Sequence, residues 1–277
     1  MLLRFAIVLF VISAFFQADI KAQEPVATPT PSVTPEATPQ PTPISAEKAA
    51  PGTFTAEQNA ESVIFINGIG RGREGMAQIR KTTFERGKTV VTNDEGKKES
   101  ANYQRWVIRG ETSEQDKVRL EQDFPAAKYS LVFAEDKIFG IYQDTVFSPR
   151  EDAARSFENQ TFRNIDALLR YKENESKIEL GERTKRMGVE LIVMDVTDKK
   201  GGKVRYFISA RSFRIMFLEY EENGVTYTRR FYDYRNVQGT LVPYRTVLLK
   251  KDETVEETSI GTLTYVQSVD EGLFIAG

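Results

Sequence analysis

The chain contains no histidine and no cysteine in 277 residues. Without histidine there is no Ser-His-Asp triad, no Cys-His pair and no His-ligated metal. Without cysteine there is no disulfide, even in a compartment that would permit one. A folded domain in this chain must be held by its core alone. Neither sign of charge is in excess: 38 Lys and Arg against 40 Asp and Glu leave a net −2. The basic residues are scattered rather than gathered into a stripe, which argues against a nucleic-acid surface. The catalytic chemistry still open is paired carboxylates, Ser-Lys, or Tyr and Arg groups. No cofactor is expected.

What is present begins with Met1-Leu2-Leu3-Arg4 and an apolar run from Phe5 to Phe16, then Gln17-Ala18-Asp19-Ile20-Lys21-Ala22-Gln23. One positive charge before such a run is the pattern of a secretory signal. The run falls short of the roughly 20 residues a spanning helix needs. We read 1–22 as a signal peptide cleaved after Ala22, with an uncleaved anchor as the alternative. No cysteine follows that could carry a lipid, so the mature chain is expected to be soluble in the periplasm. Residues 23–52 hold most of the prolines, in Ala27-Thr28-Pro29-Thr30-Pro31 and Ala37-Thr38-Pro39-Gln40-Pro41-Thr42-Pro43. Proline fixes φ and lacks an N–H, so this segment reads as a disordered, extended spacer of polyproline II character. No basic or aromatic anchors punctuate it, which disfavours a Pro-rich recognition ligand.

Residues 53–277 suit one β-rich domain. Thr55-Ala56-Glu57-Gln58 fits a capping box, and Ala56, Ala60, Val63 and Ile64 recur at helical spacing up to Asn67-Gly68. A second short helix is expected from Arg73 to Arg80. Gly70-Arg71-Gly72-Arg73-Glu74-Gly75 matches G-x-G-x-x-G, but a dinucleotide site needs alternating βα units beyond it, and this chain turns to strands after Lys81. The glycines read instead as a helix-to-helix joint.

From Thr82 the period is mostly two, broken by hairpin turns. These fall at Asn93–Gly96, Glu135-Asp136-Lys137, Lys199–Gly202, Asn223-Gly224 and Lys250–Glu253. Leu131, Phe133, Phe139 and Ile141 are expected to share a face across the second of these. Ser148-Pro149 offers an N-cap and a first-turn proline for a helical insertion carrying Phe157, Phe162, Ile165, Leu168 and Leu169, broken near Asn159-Gln160. The class is therefore mainly β (α+β). About ten strands in a curved antiparallel sheet must curl rather than lie flat, giving an unclosed β-barrel with helices covering its concave face.

The stretch Phe231-Tyr232-Asp233-Tyr234-Arg235-Asn236-Val237-Gln238-Gly239-Thr240-Leu241-Val242-Pro243-Tyr244 resembles a strand–turn–strand signature of LolA-like periplasmic lipoprotein carriers, the outer-membrane lipoprotein-sorting type. Val269-Asp270-Glu271-Gly272-Leu273-Phe274 is similar to that family's closing strand and Leu-Phe ending. The first helix with the joint at Gly68–Gly75 and Ile79-Arg80 resembles its opening. The resemblance covers about Thr53 to Phe274, and the Pro/Thr spacer lies outside it. It implies a half-barrel whose concave face holds the acyl chains of a lipid-modified protein in transit. An inner-membrane donor and an outer-membrane acceptor would be its partners. In physical terms, Gly239 can take positive φ in its turn, and Pro243 needs a place where a missing donor is harmless. Leu273 and Phe274 can bury the chain end.

Glu190-Leu191-Ile192-Val193-Met194 and Phe213–Leu218 are apolar on both faces, so both faces must be covered. The expected apolar wall is Phe133, Phe139, Ile141, Phe147, Leu168, Leu169, Ile215 and Phe217. Glu221-Glu222 and Glu256-Glu257 read as solvated edge residues rather than an acid/base pair, because adjacent carboxylates on a strand point to opposite faces. Arg229-Arg230 and Lys250-Lys251 read as edge-strand protection. Trp106 reads as core or pocket rim. The function expected is a monomeric, non-catalytic carrier of lipid or lipoprotein acyl chains. The alternatives are a non-catalytic envelope sensor or scaffold on the same fold, and an Asp/Glu hydrolase for which no pair is nominated.

Overall fold

The computed structural model describes residues 54–93 and 95–275. The signal peptide, its cleavage point and the spacer expected over 1–52 lie outside the described residues. Helix α1 (Ala56–Asn67) opens on the expected capping box: Thr55 Oγ1 accepts from the Gln58 amide (3.2 Å) and Gln58 Oε1 from the Thr55 amide (2.9 Å). Gly70 and Gly72, at φ +81 and +68, turn the chain into α2 (Gly72–Ile79). The glycine run is a helix joint, as expected.

The sheet has fourteen strands rather than about ten. They are β1 (Thr82–Thr92), β2 (Lys98–Ile108), β3 (Lys117–Asp123), β4 (Lys128–Ala134), β5 (Lys137–Tyr142) and β6 (Thr145–Phe147). After α3 (Glu151–Phe162) and α4 (Ile165–Leu169) come β7 (Lys177–Leu180), β8 (Thr184–Arg186), β9 (Val189–Thr197) and β10 (Lys203–Ser209). The last four are β11 (Ile215–Glu222), β12 (Val225–Val237), β13 (Thr240–Lys250) and β14 (Glu253–Tyr265). The order is β6-β5-β4-β3-β2-β1-β14-β13-β12-β11-β10-β9-β7, with β8 beside β9. Every neighbour is antiparallel, and the edges β6 and β7 do not meet, so the barrel stays unclosed. Of the four extra strands, β6 (Thr-Val-Phe), β7 and β8 have three or four residues, and β3 reads Lys-Val-Arg-Leu-Glu-Gln-Asp, with Val118 and Leu120 its sole apolar residues.

Six hairpins turn on two residues that both have positive φ: Glu135-Asp136, Gln143-Asp144, Met187-Gly188, Asn223-Gly224, Gln238-Gly239 and Lys251-Asp252. This geometry matches the right-handed twist of the flanking strands. At the first of them, two turn residues stand where three were expected. Phe133 therefore faces Ile138, and Val132 faces Phe139. Because side chains alternate, that single step sends Phe139 and Ile141 to the face opposite Leu131 and Phe133.

Helix α3 begins at Glu151, not at a Ser148 cap, and the helical break falls at Arg163-Asn164 rather than Asn159-Gln160. Asn164 explains the break: its Nδ2 donates to the carbonyls of Gln160 and Thr161, while its Oδ1 accepts from the Asp166 amide (2.7 Å) to cap α4. Pro243 lies within β13 opposite Tyr234, but the β13–β14 ladder begins only at Arg245, so its missing donor faces no partner strand. Residues 271–274 form a 3₁₀ turn rather than a closing strand, and Phe274 is buried against Val132 and Ala134.

Asp136→Gly should raise stability by about 1 kcal/mol, because it removes a side chain from the left-handed region. Lys137→Gly should lower it, since Lys137 is the first residue of β5. Urea midpoints measure both. The opposite order of effects would restore the three-residue turn.

Candidate ligand-binding face

All four helices lie on one face of the sheet and divide its covering into two apolar packs. Helices α1, α2 and α4 set Val63, Ile64, Met76, Leu168 and Leu169 against Met194, Tyr206, Ile208, Ile215 and Leu218 of β9–β11. Helix α3 sets Phe157 among Tyr103, Val118, Leu120, Leu131 and Phe133 of β2–β4. Between the packs, over β1, β13 and β14, a cavity of about 170 Å³ remains under the α3–α4 junction. One side is apolar, with Phe231, Leu241, Val242, Ile260 and Leu263. The other is polar, with Glu85, Arg105, Gln122, Arg229, Glu256 and Thr258.

The polar side is partly wired to itself. The Tyr103 hydroxyl donates to Glu85 Oε1 (2.7 Å), and Gln160 Nε2 on α3 donates to Glu256 Oε2 (3.0 Å). Burial, together with the Glu85 and Glu256 carboxylates, holds the Tyr103 phenol far above its usual range. At one end of the cavity Asp166 of α4 binds two guanidiniums, Arg80 at 2.7 Å and Arg109 at 2.6 Å. Arg109 also donates to Thr83 Oγ1 (2.9 Å) and to the Arg80 carbonyl. Burial alone would raise the Asp166 pKa, but Arg109 and Arg80 outweigh it and hold the carboxyl far below the ordinary range. Beside this cluster, Arg170 pairs with Asp116 (2.7 Å), whose Oδ1 also takes the Gly110 amide. A cleft of about 540 Å³ opens there between Arg73, Met76, Arg109 and Leu169. Another, of about 490 Å³, lies at the far side of α3 between Asn159, Phe162, Val204 and Glu222.

The eight residues expected to form one wall are divided between the two faces. Phe133, Leu168, Leu169 and Ile215 lie on the helix-covered face. Phe133 meets Phe162 of α3 edge-on, centroids 5.0 Å apart. Phe139 and Ile141 lie on the outer face beneath Leu273 and Phe274, displaced there by the shorter turn. Phe217 is also outward, stacked on Phe207 at 4.2 Å and capped by the Arg186 guanidinium. Phe147 on edge strand β6 lays its ring over Gly140 and keeps 37% of its surface exposed. Of the eight, only Leu169 borders one of the three spaces just described. Trp106 packs on the outer face, 5.5 Å from Phe84.

The adjacent carboxylates do point apart. Glu256 lines the cavity, while Glu257 pairs with Arg245 (2.7 Å). Glu222 accepts from Asn159 of α3 (2.6 Å), and Glu221 is exposed. The reading of Arg229-Arg230 as edge protection is wrong, because β12 lies between β11 and β13 and Arg229 is buried. The sequence did carry a signal for it. Tyr227, Arg229 and Phe231 share one strand face, and a lone arginine between aromatic neighbours on a covered face marks an ionic position.

No family model and no curated protein matches the sequence. The fold has solved counterparts. A DUF1329-family protein from Desulfovibrio piger superposes with TM-score 0.58 at 13% identity, covering 80% of this chain and 98% of that one. A LolA-superfamily protein from Nitrosomonas europaea gives 0.56 at 11%, covering 80% and 98%. An outer-membrane lipoprotein-sorting protein domain from Vibrio parahaemolyticus gives 0.50 at 13%, covering 78% and 97%. The chain thus carries the LolA-like fold, an unclosed barrel covered by helices on one face, as its C-terminal motif implied.

Asp166→Asn should lower stability at neutral pH by about 3–5 kcal/mol, because it strands two guanidiniums. The depressed pKa of Asp166 means its contribution is present above the unfolded carboxyl value near ~4 and fades as pH falls below it. The gap between wild type and variant should therefore narrow on acidification. Chemical denaturation across that range measures it, and a pH-independent gap would contradict the assignment.

Proposed function

We propose that this protein is a periplasmic carrier that sequesters acyl chains of lipids or lipoproteins on its helix-covered face during transfer toward the outer membrane. It works by reversible burial, with no chemical step. The observation that carries this reading is the cavity between the two apolar packs: the helices leave the sheet incompletely filled where the LolA-like fold is covered. Burial of an acyl chain yields about 0.8 kcal/mol per CH₂, so one chain suffices for useful affinity.

In this conformation the space, partly open to solvent, is too small for its cargo. Ligand pockets usually enclose roughly 300–1,000 Å³, and the cavity holds about 170 Å³. Loading therefore requires the cover to lift, and α3 is the part able to do so. Its apolar anchors are Phe157 and Phe162, and the rest of its attachment is polar: Asn159 to Glu222, Gln160 to Glu256, and Arg163 to the Glu221 carbonyl. Each of these bonds has a charged donor or acceptor and is exchanged for water at a net cost of about 1.5–3 kcal/mol. Lifting α3 would bare Phe133 and Phe157's other neighbours, Leu120 and Leu131, beside the apolar side of the cavity. Leu168 and Leu169 of α4 would stay packed with α1 over Ile215, where Asp166 is clamped.

A second reading uses the fold as a non-catalytic envelope sensor or scaffold. It is favoured by the smallness of the cavity and by the filled pack under α1, α2 and α4. The two readings separate cleanly. Protein exported and purified from cells should carry substoichiometric lipid in native mass spectrometry and should bind a fluorescent acyl probe. A clean apo mass with no probe binding, and a stable protein partner after crosslinking, would establish the scaffold instead.

A further inference from the structure

Arg229 is the least accounted-for charge in the molecule. It sits on the inward face of β12 between Leu218 of β11 and Leu248 of β13, and only 7% of its surface is exposed. Its Nη2 is buried without a hydrogen-bond partner, and the guanidinium forms no ion pair with any described residue. A buried charge left so is costly unless something pairs with it.

The groups around it are engaged elsewhere. Glu256, its neighbour across Leu248, accepts from Gln160 and from Thr258. Glu85 accepts from Tyr103, and Asp166 is taken by Arg80 and Arg109. The Tyr206 hydroxyl, near enough to feel the Arg229 charge, donates to the Asn164 carbonyl (2.6 Å). Arg105, in the same cavity wall, is likewise without an ion pair. Counting Arg109, which shares Asp166, four guanidiniums meet three carboxylates here.

We propose that Arg229 is a ligand-binding residue: it pairs with an oxyanion borne on the end of an acyl ligand whose chain lies along the apolar side of the cavity. The planar fork of arginine matches a carboxylate or a phosphate through two parallel hydrogen bonds, and the match is strongest where water is excluded. Phe231, two residues along the same strand face, and Val242 and Leu263 supply apolar surface next to that anchor. The cargo is thereby narrowed from any acyl chain to an anionic one. This inference rests on the carrier reading.

The test compares dansyl-undecanoic acid with its methyl ester, using the full chain as exported. The acid should bind at least tenfold more tightly to the wild type. Arg229→Gln and Arg229→Met should abolish that preference, bringing the affinity for the acid to that for the ester. Their melting temperatures should equal or exceed that of the wild type, since nothing in the ligand-free protein relies on the charge. Arg229→Lys should keep part of the preference. Displacement by dodecanoate and by lauroyl lysophosphatidic acid, with monolauroylglycerol as the neutral control, distinguishes a carboxylate from a phosphate source. Equal binding of acid and ester to the wild type would overturn the anchor while leaving the carrier intact. So would a marked loss of melting temperature in Arg229→Met with the acid preference retained, which would mark Arg229 as structural. Failure of both probes to bind would overturn carrier and anchor together.

Discussion

The carboxylate of Asp166 lies between the guanidiniums of Arg80, at the junction of α2 and β1, and Arg109, just past β2. It is the one charge that ties the short helix α4 to the sheet near the middle of the barrel. With α4 fixed, Leu168 and Leu169 lock under α1, and the chain that follows is delivered to the β7 edge. Helix α3, which ends just before Asn164, has a different kind of attachment. Helix α3 lies across the opposite half of the face on two phenylalanines and a few polar bonds. The covering is thus a clamped half and a loosely attached half, hinged where Asn164 ends one helix and begins the next.

That asymmetry arises in a protein without a single histidine or cysteine. No disulfide staples the sheet, so fourteen strands are held by tight two-residue hairpins and by apolar packs on both faces. The outer face is closed by the C-terminal Phe274 and by Arg186 stacked on Phe207. The inner face is closed by helices, and between their two packs a gap remains. A site made wholly of carbon was the expectation from composition. The cavity is half carbon and half charge, and the charged half includes an arginine with nothing to hold.

Much of the architecture was legible in residue patterns. Thr55 to Gln58 announced the first helix, Asn223-Gly224 and Gln238-Gly239 announced their hairpins, and the alternation of β9 through β14 was clear. Strands β3, β6, β7 and β8 were not: β3, β7 and β8 are dominated by charged residues, and β6, Thr145-Val146-Phe147, is too short to show a period. Three of the eight candidate wall residues fall on the outer face. Glu135 and Asp136 are both left-handed, a geometry their side chains do not advertise, and the missing turn residue moved Phe139 and Ile141 to the outer face. Phe217 alternates correctly but is covered by protein on the outer side. The cavity itself was illegible, since it arises where two packs meet and no single element encodes the gap.

The central claim is that the α3 half of the cover must lift for a ligand to enter. The chain has no native thiols, so a pair introduced by Asn159→Cys and Glu222→Cys, now joined by a hydrogen bond of 2.6 Å, can be linked by a short bifunctional thiol reagent without side reactions. Binding of a fluorescent acyl probe should be lost on crosslinking and should remain in the unlinked double variant. Undiminished binding to the fully crosslinked protein would contradict the account, because the ligand would then enter with α3 held down.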